Sequence, residues 1–368
     1  MMLEYVIVFV VLLIASAALY VLYDRFVRPA GPTVASLYVE ALQDLLDGRA
    51  ETAFTKLRQV VAEDSSNIEA YLWLGQILRD HKRPDRALQV HKDLTLRTDL
   101  TVTEKQSILK QLSRDYAALD DDDMAEAALK ELTTTEPAER WAFDQLLQIQ
   151  QRQSRWSEAY ETAARILKIE ANKSKKPLAV FKFQQGLQLS KQKEHHKARI
   201  VFKEALGLDP SYAAAYLAIG DSYCDEERFE DAVNFWTKLI EAVPTQGHRA
   251  IERLKKALFD LGRFGDIAQI CEDILKHSPK DLKARLSLAE FHEKKGDMEL
   301  AQELLTQIVE DEPDNLEAIL ELIRIYGERG DNKKLTEFLR QVQLKREKLR
   351  KGSPESIPEE VVAVTSQS

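Results

Sequence analysis

Seven histidines, two cysteines and a run of aspartates are the residues in this chain with the chemistry to hold a metal or attack a bond, and their spacing argues against both. His195 and His196 sit side by side at a turn, and adjacent residues on a helix point apart, so they cannot close on one ion. Asp120 to Asp123 lack the alternating ligands, central glycine and closing glutamate of a calcium loop. Placed between two helical stretches, they suit helix capping. Cys224 and Cys271 are too few for a disulfide framework or a four-thiolate zinc site, and both fall on helical faces where a small buried thiol is expected. There is no Gly-rich phosphate loop and no nucleophile elbow. The sequence therefore predicts no catalytic residue, no cofactor and no metal. A net charge of −9 over 368 residues also lacks the broad basic footprint of a nucleic-acid binder.

What remains is recognition by a surface, and a repeat supplies it. In "GDSYCDEERFEDAVNFW", Gly220 to Trp236, a small residue is followed twelve positions later by another, Ala232, and four further on by a bulky one. Gly186, Ala198 and Phe202 match it upstream, and Pro210, Pro244, Pro279 and Pro313 keep the same beat. The second small position runs through Ala53, Ala87, Ala125, Ala159, Ala198, Ala232, Ile267, Ala301 and Leu335, marking nine units. This spacing resembles the tetratricopeptide repeat, a helix-turn-helix unit of about 34 residues. Small residues let paired helices cross closely, Trp236 and Tyr223 fill the space between units, and each proline stops a helix. A helix pair with one apolar face can bury it only against the next pair.

The extra residues in the third and fifth units lie around Arg97 to Ser107 and Ile169 to Val180 and read as lengthened turns or helix extensions. In the seventh unit Lys255 and Ile267 occupy the usual small positions, which predicts looser packing. The expected fold is all-α, an N-terminal transmembrane helix followed by a tetratricopeptide-repeat solenoid superhelix. Its parts are an anchor at 5–23, a linker at 24–33, nine repeats over 34–342, a basic terminal helix at 343–351 and a disordered tail at 352–368.

The anchor is read from Tyr5 to Tyr23, which carry no charge and reach about 28 Å as a helix. Ala15-Ser16-Ala17 offers a cleavage pattern for a secretory signal. Against cleavage, Glu4 and no basic residue precede the apolar run, the run continues past that site, and Arg25 and Arg28 follow it. An uncleaved single span with the repeats on the cytoplasmic side is expected.

In this repeat class the first helix of each unit lines the concave wall. The positions least needed for packing are Tyr38 and Leu42; Leu72, Gln76 and Arg79; Lys110 and Arg114; Trp141, Asp144 and Gln148; and Phe183 and Leu187. Arginine, aromatic and amide groups of this kind suit a protein or peptide partner, although each could equally pack between repeats.

A closer likeness lies in Glu69 to Leu94, where His91 takes a slot that normally holds a large apolar residue and Arg79, Asp85 and Arg86 accompany it. With Leu109 to Leu132 and Leu146 to Ala159, this resembles the lipopolysaccharide assembly protein B family over residues 1 to about 345. The resemblance implies a cytoplasm-facing inner-membrane adaptor that brings the lipid A deacetylase to a membrane AAA+ protease, making no bond itself. The family ends in a rubredoxin-like metal module with two Cys-x-x-Cys pairs. No cysteine follows Cys271 here, so that module is not expected. The alternative is a general scaffold for another envelope, pilus or secretion complex, using the same wall on a different client.

Overall fold

A computed structural model describes residues 2–26, 33–135 and 140–352, with side chains at 9–23, 33–135 and 140–344. Most of the linker and almost all of the expected tail lie outside the described residues. Every regular element among the described residues is helical, and the chain divides into two compact units, Met1–Arg155 and Trp156–Ser368.

The first unit contains α1 (Met2–Phe26), α2 (Val34–Leu46), α3 (Ala50–Glu63), α4 (Ile68–Asp80), α5 (Pro84–Thr95), α6 (Val102–Ala118), α7 (Asp122–Thr134) and α8 (Arg140–Arg152). From α2 to α8 each helix packs on the next, and α4 also packs directly on α6. Side-chain oxygens start several of these helices by accepting an orphan backbone N–H. Asn67 accepts from Ala70 at 3.0 Å, and Thr101 forms a reciprocal capping box with Glu104 at the head of the lengthened α6. The aspartate run caps as its spacing suggests, with Asp121 accepting from the Met124 N–H at 3.1 Å. In α1 the side chains at 9–23 are all exposed, among them Phe9, Leu12, Ile14, Leu19 and Leu22. Among the described residues no helix is long and apolar enough to cross a membrane.

The second unit contains α9 (Trp156–Ile169), α10 (Ala179–Lys191), α11 (His195–Leu208), α12 (Ala213–Cys224), α13 (Phe229–Ala242), α14 (Ile251–Asp260), α15 (Asp266–His277), α16 (Leu282–Lys295), α17 (Met298–Asp311), α18 (Leu316–Glu328) and α19 (Asn332–Gly352). These also pack in series. The stretch expected to be a basic terminal helix is the continuation of α19. The extra residues near Ile169 to Val180 form a left-handed turn at Ala171 and a 3-10 turn at Lys176–Leu178.

The repeat is written into the backbone at one point per unit. The turn inside each helix pair holds a left-handed residue: Gly48, Lys82, Asp120, Ser154, Lys193, Glu227, Gly262, Gly296 and Gly330. Each lies five positions before the second small residue of its unit. Several are not glycine, so the local cost of a positive φ, about 1 kcal/mol or more, is borne by the packing of the two helices it joins.

Glycine at the first small position is a matter of space. A Cβ on Gly75, Gly186 or Gly220 would overlap the ring of His91, Phe202 or Trp236, each sixteen positions further on. Where the position is Ala or Ser, the partner sixteen on is leucine instead, as in Ala41 and Leu57, Ser113 and Leu129, and Ala289 and Leu305, all buried. The two volumes trade against each other.

The seventh unit corrects the expectation of loose packing. Leu254, Leu258, Ile267, Cys271 and Ile274 are all fully buried within one apolar cluster. Here the order of sizes is reversed: the small partner is Cys271, and Lys255 sends its ammonium to Glu290 on α16. Burial pushes the Cys271 thiol up to about 12, which makes it a packing group rather than a nucleophile. A 3-10 turn at Pro244–Ala250 replaces the start of the first helix, and its Gly247 fits against Ile240 and Ile274.

Candidate functional site

Two clefts in the first unit meet along one face. The first, about 520 Å3, is apolar and is lined by Leu42, Leu45, Leu46, Ala50, Trp73, Gln76, Ile77, Asp80 and His81. The second, about 310 Å3, lies between α4 and α6 and is lined by Glu69, Leu72, Trp73, Gln76, Ser107, Lys110, Gln111 and Arg114. Trp73 and Gln76 belong to both, so the two are one continuous wall. Beyond Lys110 and Arg114 stands Trp141 of α8, whose ring centre lies 5.1 Å from the Lys110 Nζ and 4.9 Å from the Arg114 Cζ.

A buried polar brace sets the spacing of this wall. Asp115 on α6 is fully buried and accepts from Arg79 of α4 at 2.6 Å and from the His91 Nδ1–H of α5. Arg79 also donates to the Gln111 side chain at 2.9 Å. The other ring nitrogen of His91 lies 3.3 Å from the Leu72 carbonyl. In the second unit the Trp236 Nε1–H makes the corresponding 3.2 Å bond to the Leu217 carbonyl. His91 therefore fills an aromatic slot and adds a contact to the next repeat that an indole could not make.

The edge beside α2 has a carboxylate brace of its own. Lys56 and Arg49 hold the Asp44 carboxyl down at about 2, tying α2 to α3. That contribution is present above the ordinary carboxylate range and is lost as the pH falls through about 2.

Of the residues expected to form a wall, Leu42, Leu72, Gln76, Lys110, Arg114 and Trp141 come together on this face. Several of the expected residues have other roles. Leu72 is only 5% exposed and belongs mainly to the core, because the solvent-facing arc of α4 runs through Glu69, Trp73, Gln76 and Asp80. Arg79 is committed to Asp115 and holds the wall rather than presenting itself. Tyr38 packs on the core of the first helix pairs, and burial pushes its phenol up. Gln148 is exposed, and Asp144 lies 3.4 Å from Arg140. Phe183 and Leu187 belong to the second unit and pack into its core, Phe183 with ring centroids 5.6 Å from Phe202 and 5.2 Å from Tyr212.

Trp73 and Asp115 escaped the sequence reading. Trp73 sits one position from the expected wall residue, and the spacing of Glu69, Trp73, Gln76 and Asp80 was the signal for it. Asp115 gives no local signal, since its partners are 36 and 24 residues away. Among the described residues no group of side chains could hold a metal ion.

The comparisons with known proteins agree with this architecture. A tetratricopeptide repeat family model matches residues 258–324. Lipopolysaccharide assembly protein B of Escherichia coli (strain K12) is 26% identical over 270 residues, covering 73% of this chain and 69% of its own length. The protein of that name from Haemophilus influenzae is 28% identical over 247 residues, covering 67% of this chain and 61% of its own. Among solved structures, Naa15/Naa10 bound to HypK-THB matches over 79% of this chain and 44% of its own, with 14% identity and a TM-score of 0.46, too loose a likeness to bear on function. The chain thus carries a tetratricopeptide repeat and is similar to lipopolysaccharide assembly protein B.

Proposed function

We propose that this protein is a membrane-anchored, non-catalytic adaptor in lipopolysaccharide assembly that holds a protein client on the wall of its first unit. The observation that carries this is the continuity of the wall: an apolar cleft, two tryptophans and two cations share one face. Aromatic and cationic side chains of this kind supply most of the energy in protein interfaces.

The client is the lipid A deacetylase and the recipient a membrane AAA+ protease, as the resemblance to the family implies. Two proteins held on one scaffold meet at an effective concentration in the millimolar range, so presentation alone accelerates degradation. The anchor is α1, in the bacterial inner membrane with the repeats on the cytoplasmic side. Support for that comes from its exposed apolar side chains at 9–23 and from the uncharged run Tyr5 to Tyr23. Depleting the protein from its host is expected to raise the deacetylase level several-fold, read by immunoblot after synthesis is blocked. An unchanged half-life would contradict the adaptor role and favour a scaffold for another envelope complex.

A further inference from the structure

At the end of α9 in the second unit, where the fifth repeat carries its extra residues, five cations stand close together: Arg165, Lys168, Lys173, Lys175 and Lys176. Glu170 is the one carboxylate in that stretch, in a chain whose net charge is −9. All five cations are exposed. Lys176 lies 3.7 Å from Asp209, whereas Arg165, Lys168, Lys173 and Lys175 have no ion pair among the described residues. Lys182, further along on α10, shows the contrast: it is committed to Glu204 at 2.7 Å and to the Tyr160 ring at 4.9 Å.

The backbone holds this cluster in a fixed turn. Arg165, Lys168 and Ile169 share one face of α9, and Ile169 is 46% exposed. Left-handed Ala171 closes the helix by donating its N–H to the Lys168 carbonyl at 3.1 Å, and the Asn172 N–H donates to the Leu167 carbonyl at 2.9 Å. The Asn172 side chain then accepts from the Ser174 N–H at 2.9 Å, and buried Leu178 fastens the far end. Every residue from Lys168 to Pro177 is exposed, so this order does not serve the stacking of repeats.

We propose that this turn rests on a bilayer, with its lysines among anionic phospholipid headgroups and Ile169 at the interface. The proposal rests on the reading of α1 as a membrane anchor. Four of the five cations are lysine and no aromatic residue stands among them. Protein interfaces are depleted in lysine and enriched in arginine and aromatic residues. A lysine is a mobile, strongly hydrated point charge, which suits a diffuse negative surface. Each cation within a Debye length of anionic lipid raises partitioning about fivefold.

The test uses the full-length protein reconstituted into nanodiscs of phosphatidylcholine, alone or with a third of it replaced by phosphatidylglycerol. Ser174→Cys carries a fluorophore in a Cys224→Ser background, since Cys271 is buried, and a lipid with a nitroxide headgroup quenches it on contact. Quenching is expected to be at least fivefold greater with phosphatidylglycerol and to fall away in half-molar salt. Lys168→Glu with Lys173→Glu and Lys175→Glu should abolish the difference, while Lys283→Glu leaves it unchanged. Circular dichroism establishes that each variant is folded. Equal quenching in both lipids, or quenching indifferent to the reversals, would overturn the lipid contact. No quenching in either would overturn it too and give the lysines to an acidic protein surface. Retention of the protein in pure phosphatidylcholine vesicles through an alkaline wash reads the anchor separately. If retention is lost, co-flotation with phosphatidylglycerol vesicles reads the turn by itself, and protein left unfloated overturns the contact.

Discussion

Replacing Asp115 with alanine is expected to destabilise the first unit by about 3–5 kcal/mol, because it leaves the Arg79 guanidinium and the His91 ring facing a cavity with no acceptor. The carboxylate is fully buried, so water cannot substitute for it without opening the interface between α4, α5 and α6. The size of this loss would measure the cost of breaking the brace and not its net worth. The triple variant Arg79→Met, His91→Phe, Asp115→Leu removes every member together. It should return to within about 1.5 kcal/mol of the parent, since Phe202 already fills the equivalent slot elsewhere in the chain. Hydrogen exchange resolved to α4–α6 reads both. Uniform protection in Asp115→Ala, or a triple variant as poor as the single, would show that the three residues do not act as a unit.

A second large effect is expected from one methyl group. Gly220→Ala places a Cβ inside the Trp236 indole, which is 2% exposed and held by its bond to the Leu217 carbonyl. Overpacking of this kind costs about 1–3 kcal/mol, and the buried indole puts this site at the upper end. Trp236→Leu alone leaves a cavity and costs about 3 kcal/mol. Combined, the two changes reproduce the Ala289 and Leu305 pairing that the chain uses elsewhere, so the double variant should be more stable than the sum of the singles by about 2 kcal/mol. Urea unfolding followed at the second unit decides it. Strict additivity would mean that the two positions do not compete for the same volume.

These two cases mark what could be read from the sequence and what could not. The pairing of small and bulky residues is local, repeats with each unit and follows from helix geometry, so Gly220, Ala232 and Trp236 announce the packing directly. The same logic explains why the seventh unit is tight where Lys255 and Ile267 predict loose packing. Taken singly each residue is too large for its position, but the interior responds to the sum, and Cys271 supplies the missing space. The brace was out of reach for a different reason. Arg79 and Asp115 lie in consecutive repeats, and which cation meets which carboxylate depends on the stacking of one helix pair on the next. Leu72 and Trp73 differ by a single position, about 100° of helix, and only the packed structure decides which of them faces the core.

A client held on the first-unit wall is the core of the proposed function. A photoreactive amino acid at Gln76, between the apolar and cationic ends, tests it in living cells by crosslinking followed by immunoblot for the lipid A deacetylase. The account predicts a crosslinked deacetylase that disappears when Lys110 and Arg114 are both changed to Glu, with the same probe at Lys283 in the second unit giving none. Deacetylase captured equally from Lys283, or from Gln76 regardless of the charge reversal, would contradict it.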